Sequence, residues 1–296
     1  MSLQGILAAT DFSVRSERAL QRAALLSRQF SAQLQLLHVV DGDQPAELVA
    51  LEAAEASALL ERNAAALREA AGAAPSVRVS TGDTFPSIIE AADDCKADLV
   101  AMGSHRKRIV DNVFVGTTIE RVMRCGHHPV LMVNTEASGP YRRVIAAVDM
   151  SEASANALRT ARALGLLDGA YVTLLHTFQP LTKGQPLTKG IMISGGIECE
   201  RIEDHVAEEA ARERRELTSF VSGLDLDGLR YDVRLEEGQA FYAIKQAIEC
   251  ERPDLLVLGT RGLTGAKRVL LGSVADALLR GVECDLLAVP PAGAAA

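Results

Sequence analysis

Residues 254–273 read "DLLVLGTRGLTGAKRVLLGS", an apolar run that ends at Gly259 and leads through a glycine-containing loop to a Gly-Ser pair. The same arrangement occurs earlier, where residues 98–117 read "DLVAMGSHRKRIVDNVFVGT" and close on a Gly-Thr pair. The interval between the first glycine and the closing pair is the same in both stretches. They differ at a central position, where the second has Gly262 and the first has Arg106. The chain therefore contains the same predicted strand-loop-helix unit twice.

Strand and helix signals alternate along the whole chain, twice in the same order. The runs "GILAAT" (5–10) and "VIAAV" (144–148) each predict a buried first strand, followed by an aspartate, a serine and an amphipathic helix. The boundary between the copies falls near residues 136–141, which gives one domain of residues 1–137 and another of residues 138–296. We therefore predict an α/β fold of two tandem Rossmann-like domains, each a mostly parallel five-stranded sheet with flanking helices.

Composition limits the classes of protein and partner. The 296 residues carry a formal charge of −8, and nucleic-acid phosphates need a basic face that this chain lacks. No uncharged stretch approaches the length of a membrane-spanning helix, and the start "MSLQGILAATDFS" lacks the charged region of a signal peptide. Five cysteines, an odd number without framework spacing, are typical of a reducing compartment. We expect a cytoplasmic protein that binds neither nucleic acid nor membrane.

The glycine loop of the second copy follows the carboxyl end of a strand, which is where open parallel sheets bind ligands. Gly259 and Gly262 would let the backbone approach a ligand closely or adopt positive φ. Ser273 is a natural N-cap, and the start of a helix favours phosphate through its unpaired N–H groups. The loop is neither a P-loop nor a dinucleotide fingerprint, because the required Gly-Lys-Ser/Thr and G-x-G-x-x-G sequences are missing. On these residues alone, turn geometry and a nucleotide site both stay open.

The full spacing of the second copy is G-2x-G-9x-G-[ST], formed by Gly259, Gly262, Gly272 and Ser273. With the aspartate that closes the first strand and the "LLHV" of the second strand (36–39), this pattern resembles the universal stress protein family over nearly the whole chain, twice. The resemblance implies domains of the adenine-nucleotide α-hydrolase-like type. It also implies a site for ATP, with or without Mg²⁺, and a regulatory or stress-response role.

The resemblance further implies which residues contact the nucleotide. In the second copy these are Asp149, Thr177, Leu258, Gly259, Gly262, Gly272, Ser273 and Val274. The matching residues of the first copy are Asp11, Val39, Met102, Gly103, Arg106, Gly116, Thr117 and Thr118. The side chain of Arg106 would occupy space that the phosphates need, so we expect the second copy to be the principal site and the first to be weaker. Because a guanidinium also suits phosphate, a first site of another geometry stays open.

Two other functions stay open. An adenylating enzyme of the related nucleotide α-hydrolase group would carry an SGG-x-[DS] pyrophosphate loop after the first strand, where this chain has "DFS" (11–13) and "DMS" (149–151). A dimeric scaffold that binds no nucleotide would not need the intact glycines of the second copy. No catalytic residue is identified, since the loop offers amides and one hydroxyl without an obvious base. We therefore expect at most slow ATP hydrolysis.

The last strand of each copy predicts how the copies associate. "PVLMVN" (129–134) and "DLLAVP" (285–290) are short apolar strands that would be exposed edges of the two sheets. Pairing these strands would join the two repeats as an internal pseudo-dimer. By resemblance to the family, two whole chains would also pair as a homodimer.

The histidines invite a metal hypothesis. His38 and His176 close the second strand of each copy, where a structural histidine beside the pocket is the simpler interpretation. His127 and His128, in "CGHH" (125–128), lie at a helix-strand turn with no further ligand nearby in sequence. We expect no metal at either place.

Overall fold

The computed structural model describes residues 2–104, 118–180, 199–261 and 271–292. The first domain contains β1 (Gly5–Ala9), α1 (Val14–Phe30), β2 (Gln33–Val40), α2 (Ala46–Ala71), β3 (Ser76–Thr81), α3 (Thr84–Asp94), β4 (Leu99–Gly103), α4 (Thr118–Cys125) and β5 (Val130–Val133). The second contains β6 (Arg143–Ala147), α5 (Glu152–Ala163), β7 (Tyr171–Phe178), α6 (Cys199–Ser222), β8 (Arg230–Glu237), α7 (Ala240–Glu251), β9 (Leu255–Gly259), α8 (Ser273–Leu279) and β10 (Asp285–Val289). None of these helices combines the length and apolar character needed to cross a bilayer.

The predicted α/β fold is confirmed. Five parallel strands form the sheet of each domain, in the order β3-β2-β1-β4-β5 and β8-β7-β6-β9-β10. The described strands of the first domain end at Val133, and those of the second begin at Arg143. The division at residue 137 is consistent with that gap and stays a prediction.

The two sheets join into one. β5 pairs antiparallel with β10, with Met132 opposite Leu286 and Val130 opposite Ala288, so that a single ten-stranded sheet runs from β3 to β8. The pairing of the two last strands, predicted from "PVLMVN" and "DLLAVP", is therefore present in the structure. Both strands are buried along their whole length, which explains why every residue in them except Asp285 is apolar.

Alternating side chains of the strands face two helical layers. In β1, Ile6 and Ala8 belong to one apolar cluster and Leu7 and Ala9 to the other. The first cluster lies under α1, α2, α5 and α6, and the second under α3, α4, α7 and α8. Each cluster continues across both domains, so the repeats share their cores as well as their sheet.

The junction of the repeats contains a fully buried carboxylate, that of Asp285 at the start of β10. Its Oδ1 accepts hydrogen bonds from the backbone N–H groups of Asn134 and Thr135 at 2.9 and 3.0 Å, and from the Thr135 hydroxyl at 2.9 Å. Its Oδ2 accepts one from the Tyr141 hydroxyl at 2.9 Å and lies 3.2 Å from Arg22 Nε, whose side chain is also buried. Burial, and then the charge of Asp285, raise the pKa of the Tyr141 hydroxyl well above its usual range, so it stays a donor. One carboxylate thus ties β10 to the first domain and to the linker.

Further polar contacts flank this carboxylate. The Asn134 side-chain amide donates to the carbonyl oxygens of Cys284 at 2.8 Å and Val282 at 3.3 Å. On the adjacent helices, Arg280 Nε lies 3.3 Å from Glu120 Oε1 and joins α8 to α4. The junction is therefore closed by the strand pairing, the buried carboxylate and an ion pair between helices.

Replacing the buried carboxylate tests its contribution. We expect Asp285→Asn to lower the free energy of unfolding by about 3–5 kcal/mol, because the change leaves the buried Arg22 without its counter-charge. The measurement is equilibrium unfolding in urea, followed by circular dichroism. Glu216→Gln on α6, which removes an exposed partner of Arg212, is the control and should cost at most about 0.5 kcal/mol. Equal losses in the two variants would contradict a stabilising role for the carboxylate.

Candidate functional site

Each domain has one point at which its strand order reverses. In the first domain this point lies between β1 and β4, and in the second between β6 and β9. The helix that follows β1 or β6 packs on one face of the sheet, and the helix that comes next after β4 or β9 packs on the other. The chain therefore leaves neighbouring strands in opposite directions, which opens a crevice at their carboxyl ends.

Asp149 lies just after β6, at the carboxyl end of that strand. Its Oδ1 accepts hydrogen bonds from the backbone N–H of Ser151 at 3.1 Å and from the Ser151 hydroxyl. Met150 between them takes a left-handed conformation, with φ of 60°. Ser151 is the N-cap of α5, where its hydroxyl accepts from the backbone N–H of Ser154 at 3.2 Å. The aspartate thus stabilises the turn that starts α5.

The first domain repeats this turn. Asp11 Oδ1 accepts from the backbone N–H of Ser13 at 3.0 Å, Phe12 has φ of 59°, and Ser13 caps α1. Burial by itself raises the pKa of the Asp11 carboxyl, but hydrogen bonds from Ser13 and Ser16 outweigh it and bring the pKa below its ordinary value. The "DFS" and "DMS" sequences therefore build the same structure, with an ionised carboxylate at the strand end of the first domain.

The paired histidines fasten the second strand to the first. His38 Nδ1 lies 2.8 Å from the carbonyl oxygen of Thr10, and His176 Nδ1 lies 2.8 Å from that of Val148. Both rings thus bridge to the strand end that carries the aspartate. This geometry supports a structural role for both histidines.

Gly103 and Gly259 have a packing reason that the sequence did not reveal. A Cβ on Gly103 would lie 2.6 Å from the carbonyl oxygen of Arg15, in the first turn of α1. A Cβ on Gly259 would lie 3.0 Å from the carbonyl oxygen of Ala153 in α5. Of the two uses predicted for Gly259, close approach or positive φ, the second is excluded because its backbone is not in that region. These glycines let the helix that follows the first strand approach the crevice.

The predicted N-cap at Ser273 is wrong by one residue. Gly272 is the N-cap of α8, with φ of −59° and ψ of 144°, and Ser273 is the first helical residue. The backbone N–H of Gly272 donates to the carbonyl oxygen of Thr260 at 2.9 Å, which ties the start of α8 to the end of β9. Among the residues that the structure describes, the atom nearest to a Cβ on Gly272 would be the carbonyl oxygen of Thr260 at 3.6 Å, so no packing contact within that part of the chain explains this glycine.

The remaining candidate residues that the structure describes fall into two groups by burial. Leu258 and Met102 are buried in the last strand before each loop, while Val39, Thr177, Thr118 and Val274 are half-buried near the crevices. Four candidates, Gly262, Arg106, Gly116 and Thr117, lie outside the described residues. The described candidates of the second domain meet at one strand-end edge, because Gly259 touches the start of α5 and Thr260 binds Gly272.

The structure also assembles a group that the sequence did not predict. Asp93 of α3 lies within hydrogen-bond distance of both His127 and His128. The two histidines lie more than thirty residues further along the chain. Only the packing of α3 on α4 brings these side chains together, so no local sequence pattern could have found the partner.

Comparison with known proteins gives a consistent family. The model of the universal stress protein family matches residues 3–134 and 140–290, one match for each repeat. A universal stress protein of Synechocystis is 27% identical over 150 residues, which cover 50% of this chain and 97% of the relative. One from Thermus aquaticus is 28% identical over 152 residues, covering 50% of this chain and 98% of the relative. Each of these relatives therefore corresponds in length to one of the two repeats.

A solved structure has both repeats. The universal stress protein from Archaeoglobus fulgidus aligns with a TM-score of 0.66, covering 97% of this chain and 98% of its own, at 18% identity. At that identity the likeness concerns the fold, and it extends over the whole tandem arrangement.

Proposed function

Because the chain belongs to the universal stress protein family and carries two copies of its domain, we propose that it binds ATP in the second domain. The nucleotide would lie at the carboxyl ends of β6 and β9. Binding would serve a regulatory or stress-response role in the cytoplasm, with at most slow hydrolysis. Pairing of two whole chains as a homodimer is part of the same proposal.

The observation that carries the proposal is the convergence at the second crevice. Asp149 lies far in sequence from Gly259 and Gly272, yet all three lie at one strand-end edge, where the strand order reverses. Ligands of open α/β sheets bind at such edges. Backbone N–H groups and small residues at this edge suit phosphate oxygens, which need donors and close approach.

The space beside Gly272 supports the fit of a nucleotide at this site. Gly259 is accounted for by the backbone of α5, but beside Gly272 none of the described residues has an atom closer than 3.6 Å to a Cβ position. A phosphate in that space would explain why the position has no side chain. Gly262, Ser273 and Val274 would also contact the phosphates. Leu258 would flank the ribose. Asp149 and the backbone near Thr177 would lie at the adenine-ribose end. A bound Mg²⁺ would be held mainly by the phosphates.

The first domain would bind nucleotide less tightly. It has the same aspartate turn at Asp11 and the same close glycine, Gly103. Arg106 stands at the position of Gly262, where an arginine with positive φ would cost roughly 1 kcal/mol and its side chain would compete with the phosphates for space. We therefore propose one principal site for each chain, in the second domain.

ATP titration by calorimetry tests the second site. We expect Gly272→Ala to weaken binding at least about tenfold, or about 1.4 kcal/mol, because the methyl group would fill the phosphate space without clashing with any residue that the structure describes. Gly281→Ala is a matched control at the other end of α8, since its Cβ also has its nearest atom at 3.6 Å. Gly262→Arg should abolish the tight site, and Arg106→Gly should create or strengthen a second.

Three outcomes would contradict this assignment. Equal ATP affinity in Gly272→Ala and Gly281→Ala would remove Gly272 from the site. Two equivalent tight sites in the unmodified chain would remove the asymmetry and make Arg106 a phosphate ligand. No binding at all would favour the dimeric scaffold.

We expect hydrolysis to be slow. The Asp149 carboxylate accepts two hydrogen bonds within its own turn, which favours a structural use of that oxygen over proton transfer. Turnover should take on the order of minutes per event, far below the ~10 per second of typical enzymes. Phosphate release measured at saturating ATP checks this. A rate near that of ordinary enzymes, lost in Gly262→Arg, would make the protein an ATPase or an adenylating enzyme.

A further inference from the structure

We propose that the first domain binds a divalent transition-metal ion between Asp93, His127 and His128. Asp93 lies in the last turn of α3, just before β4, and the histidines lie between α4 and β5. The three residues therefore stand at the amino ends of β4 and β5. This is the edge of the sheet opposite to the first domain's own crevice.

The side chains converge on one point. His127 Nε2 lies 2.8 Å and His128 Nε2 lies 2.7 Å from the same oxygen, Oδ1 of Asp93. The three ligand atoms all lie within 4.8 Å of one another, and the two rings are 4.3 Å apart and inclined by 37°. Ligand atoms at about 2.0–2.2 Å from a tetrahedral zinc ion are roughly 3.3–3.6 Å apart, so the two contacts to Asp93 Oδ1 would lengthen by roughly half an ångström or more to admit the ion. Rotations of the partly exposed side chains can supply that change.

The backbone holds the histidines in this orientation. The N–H of Gly126 donates to the carbonyl oxygen of Val122 at 2.7 Å, and a Cβ on Gly126 would lie 2.6 Å from that oxygen. This tight turn, which only glycine fits without a shift, ends α4 and directs the next two residues toward α3. The helices are fixed against each other, with the Arg121 guanidinium 3.8 Å above the Phe85 ring. One ligand therefore lies on a helix, and the other two lie on the short connection that leaves a helix packed against it.

The local electrostatics favour a cation. α3 ends with Asp93 and Asp94 and has no basic residue in its last turn. Carboxylates at a helix carboxyl end add to the negative pole of the helix dipole, which is unfavourable without a nearby cation. Asp94 is paired with Arg78 at 2.7 Å, whereas Asp93 faces the two imidazoles. A divalent ion would supply the compensating charge at Asp93.

The donor set selects the class of metal. Two imidazole nitrogens and one carboxylate oxygen suit Zn²⁺, Co²⁺, Ni²⁺ or Cu²⁺, whereas Mg²⁺ and Ca²⁺ prefer oxygen ligands alone. The side chains of His127 and Asp93 are 32% and 46% exposed, so water can reach the ion and complete its coordination. Three protein ligands and an open position are the arrangement of accessible rather than closed zinc sites.

The second domain provides an internal comparison. In each domain the last strand pairs with the strand that precedes it along the chain. The register of these two pairings places Val130 and Leu286 at equivalent positions. His127 and His128 therefore correspond to Glu283 and Cys284, and Asp93 corresponds to Glu249. Burial raises the pKa of the Cys284 thiol to about 12, so it stays protonated and is a poor ligand. The second repeat lacks the donor set, and the proposal is specific to the first.

Metal titration of the full, untagged chain tests the proposal. After removal of metal with a chelator, we expect one Zn²⁺ to bind per chain by calorimetry and one Co²⁺ to give visible absorption bands. Asp93→Asn, His127→Gln and His128→Gln should each weaken Zn²⁺ binding at least about tenfold. Loss of an outer-shell partner typically costs at least that much, and loss of a direct ligand should cost no less. Glu249→Gln and Glu283→Gln, the exposed equivalents in the second domain, should leave the affinity unchanged.

A measurement on the unmodified chain keeps the test independent of folding in the variants. Of the six histidines, the ring NMR signals of His127 and His128 should shift together on Zn²⁺ addition, and those of His38 and His176 should not. Absence of binding by either metal would overturn the proposal. So would an affinity retained in all three single variants, or shifts confined to other histidines, which would indicate adventitious surface binding.

Discussion

The buried carboxylate of Asp285 is the interaction on which the tandem arrangement depends. An ionised group in a fully buried position is costly unless donors and a counter-charge surround it. Here the donors come from the linker residues Asn134, Thr135 and Tyr141, and the counter-charge comes from Arg22 of the first domain. The carboxylate belongs to the second domain, so its stable burial requires both repeats to be in place at once. This makes the junction specific, which an apolar strand pairing alone would not be.

The antiparallel pairing of β5 with β10 also decides where the sites lie. Strands of the two domains run in opposite directions, so the crevice of the first domain and that of the second open on opposite edges of the ten-stranded sheet. The group of Asp93, His127 and His128, at the amino end of β5, lies on the same edge as the second crevice. Because the apolar strands are joined, the outermost strands of the sheet are β3 and β8. Their residues are partly exposed, unlike the buried residues of β5 and β10.

Periodicity and repetition predicted the fold, because they are local signals that occur twice in this chain. The pairing of the two repeats was also predictable, since both last strands are apolar and short. The sequence failed where a contact depends on packing: Gly259 makes room for the backbone of α5, and Asp93 meets its histidines only after α3 packs on α4. The sequence gives no sign of the role of Asp285, because its donors come from a separate segment of the chain.

Hydrogen exchange on the unmodified protein tests most directly whether the two repeats form one continuous sheet. Exchange followed by peptide mass analysis reports the protection of each strand separately. If β5 and β10 are central strands, their amides should be protected as strongly as those of β1 and β6, and much more strongly than those of the edge strands β3 and β8. Exchange in β5 and β10 at the rate of the edge strands would show that the repeats do not share a sheet in solution, and would contradict the account.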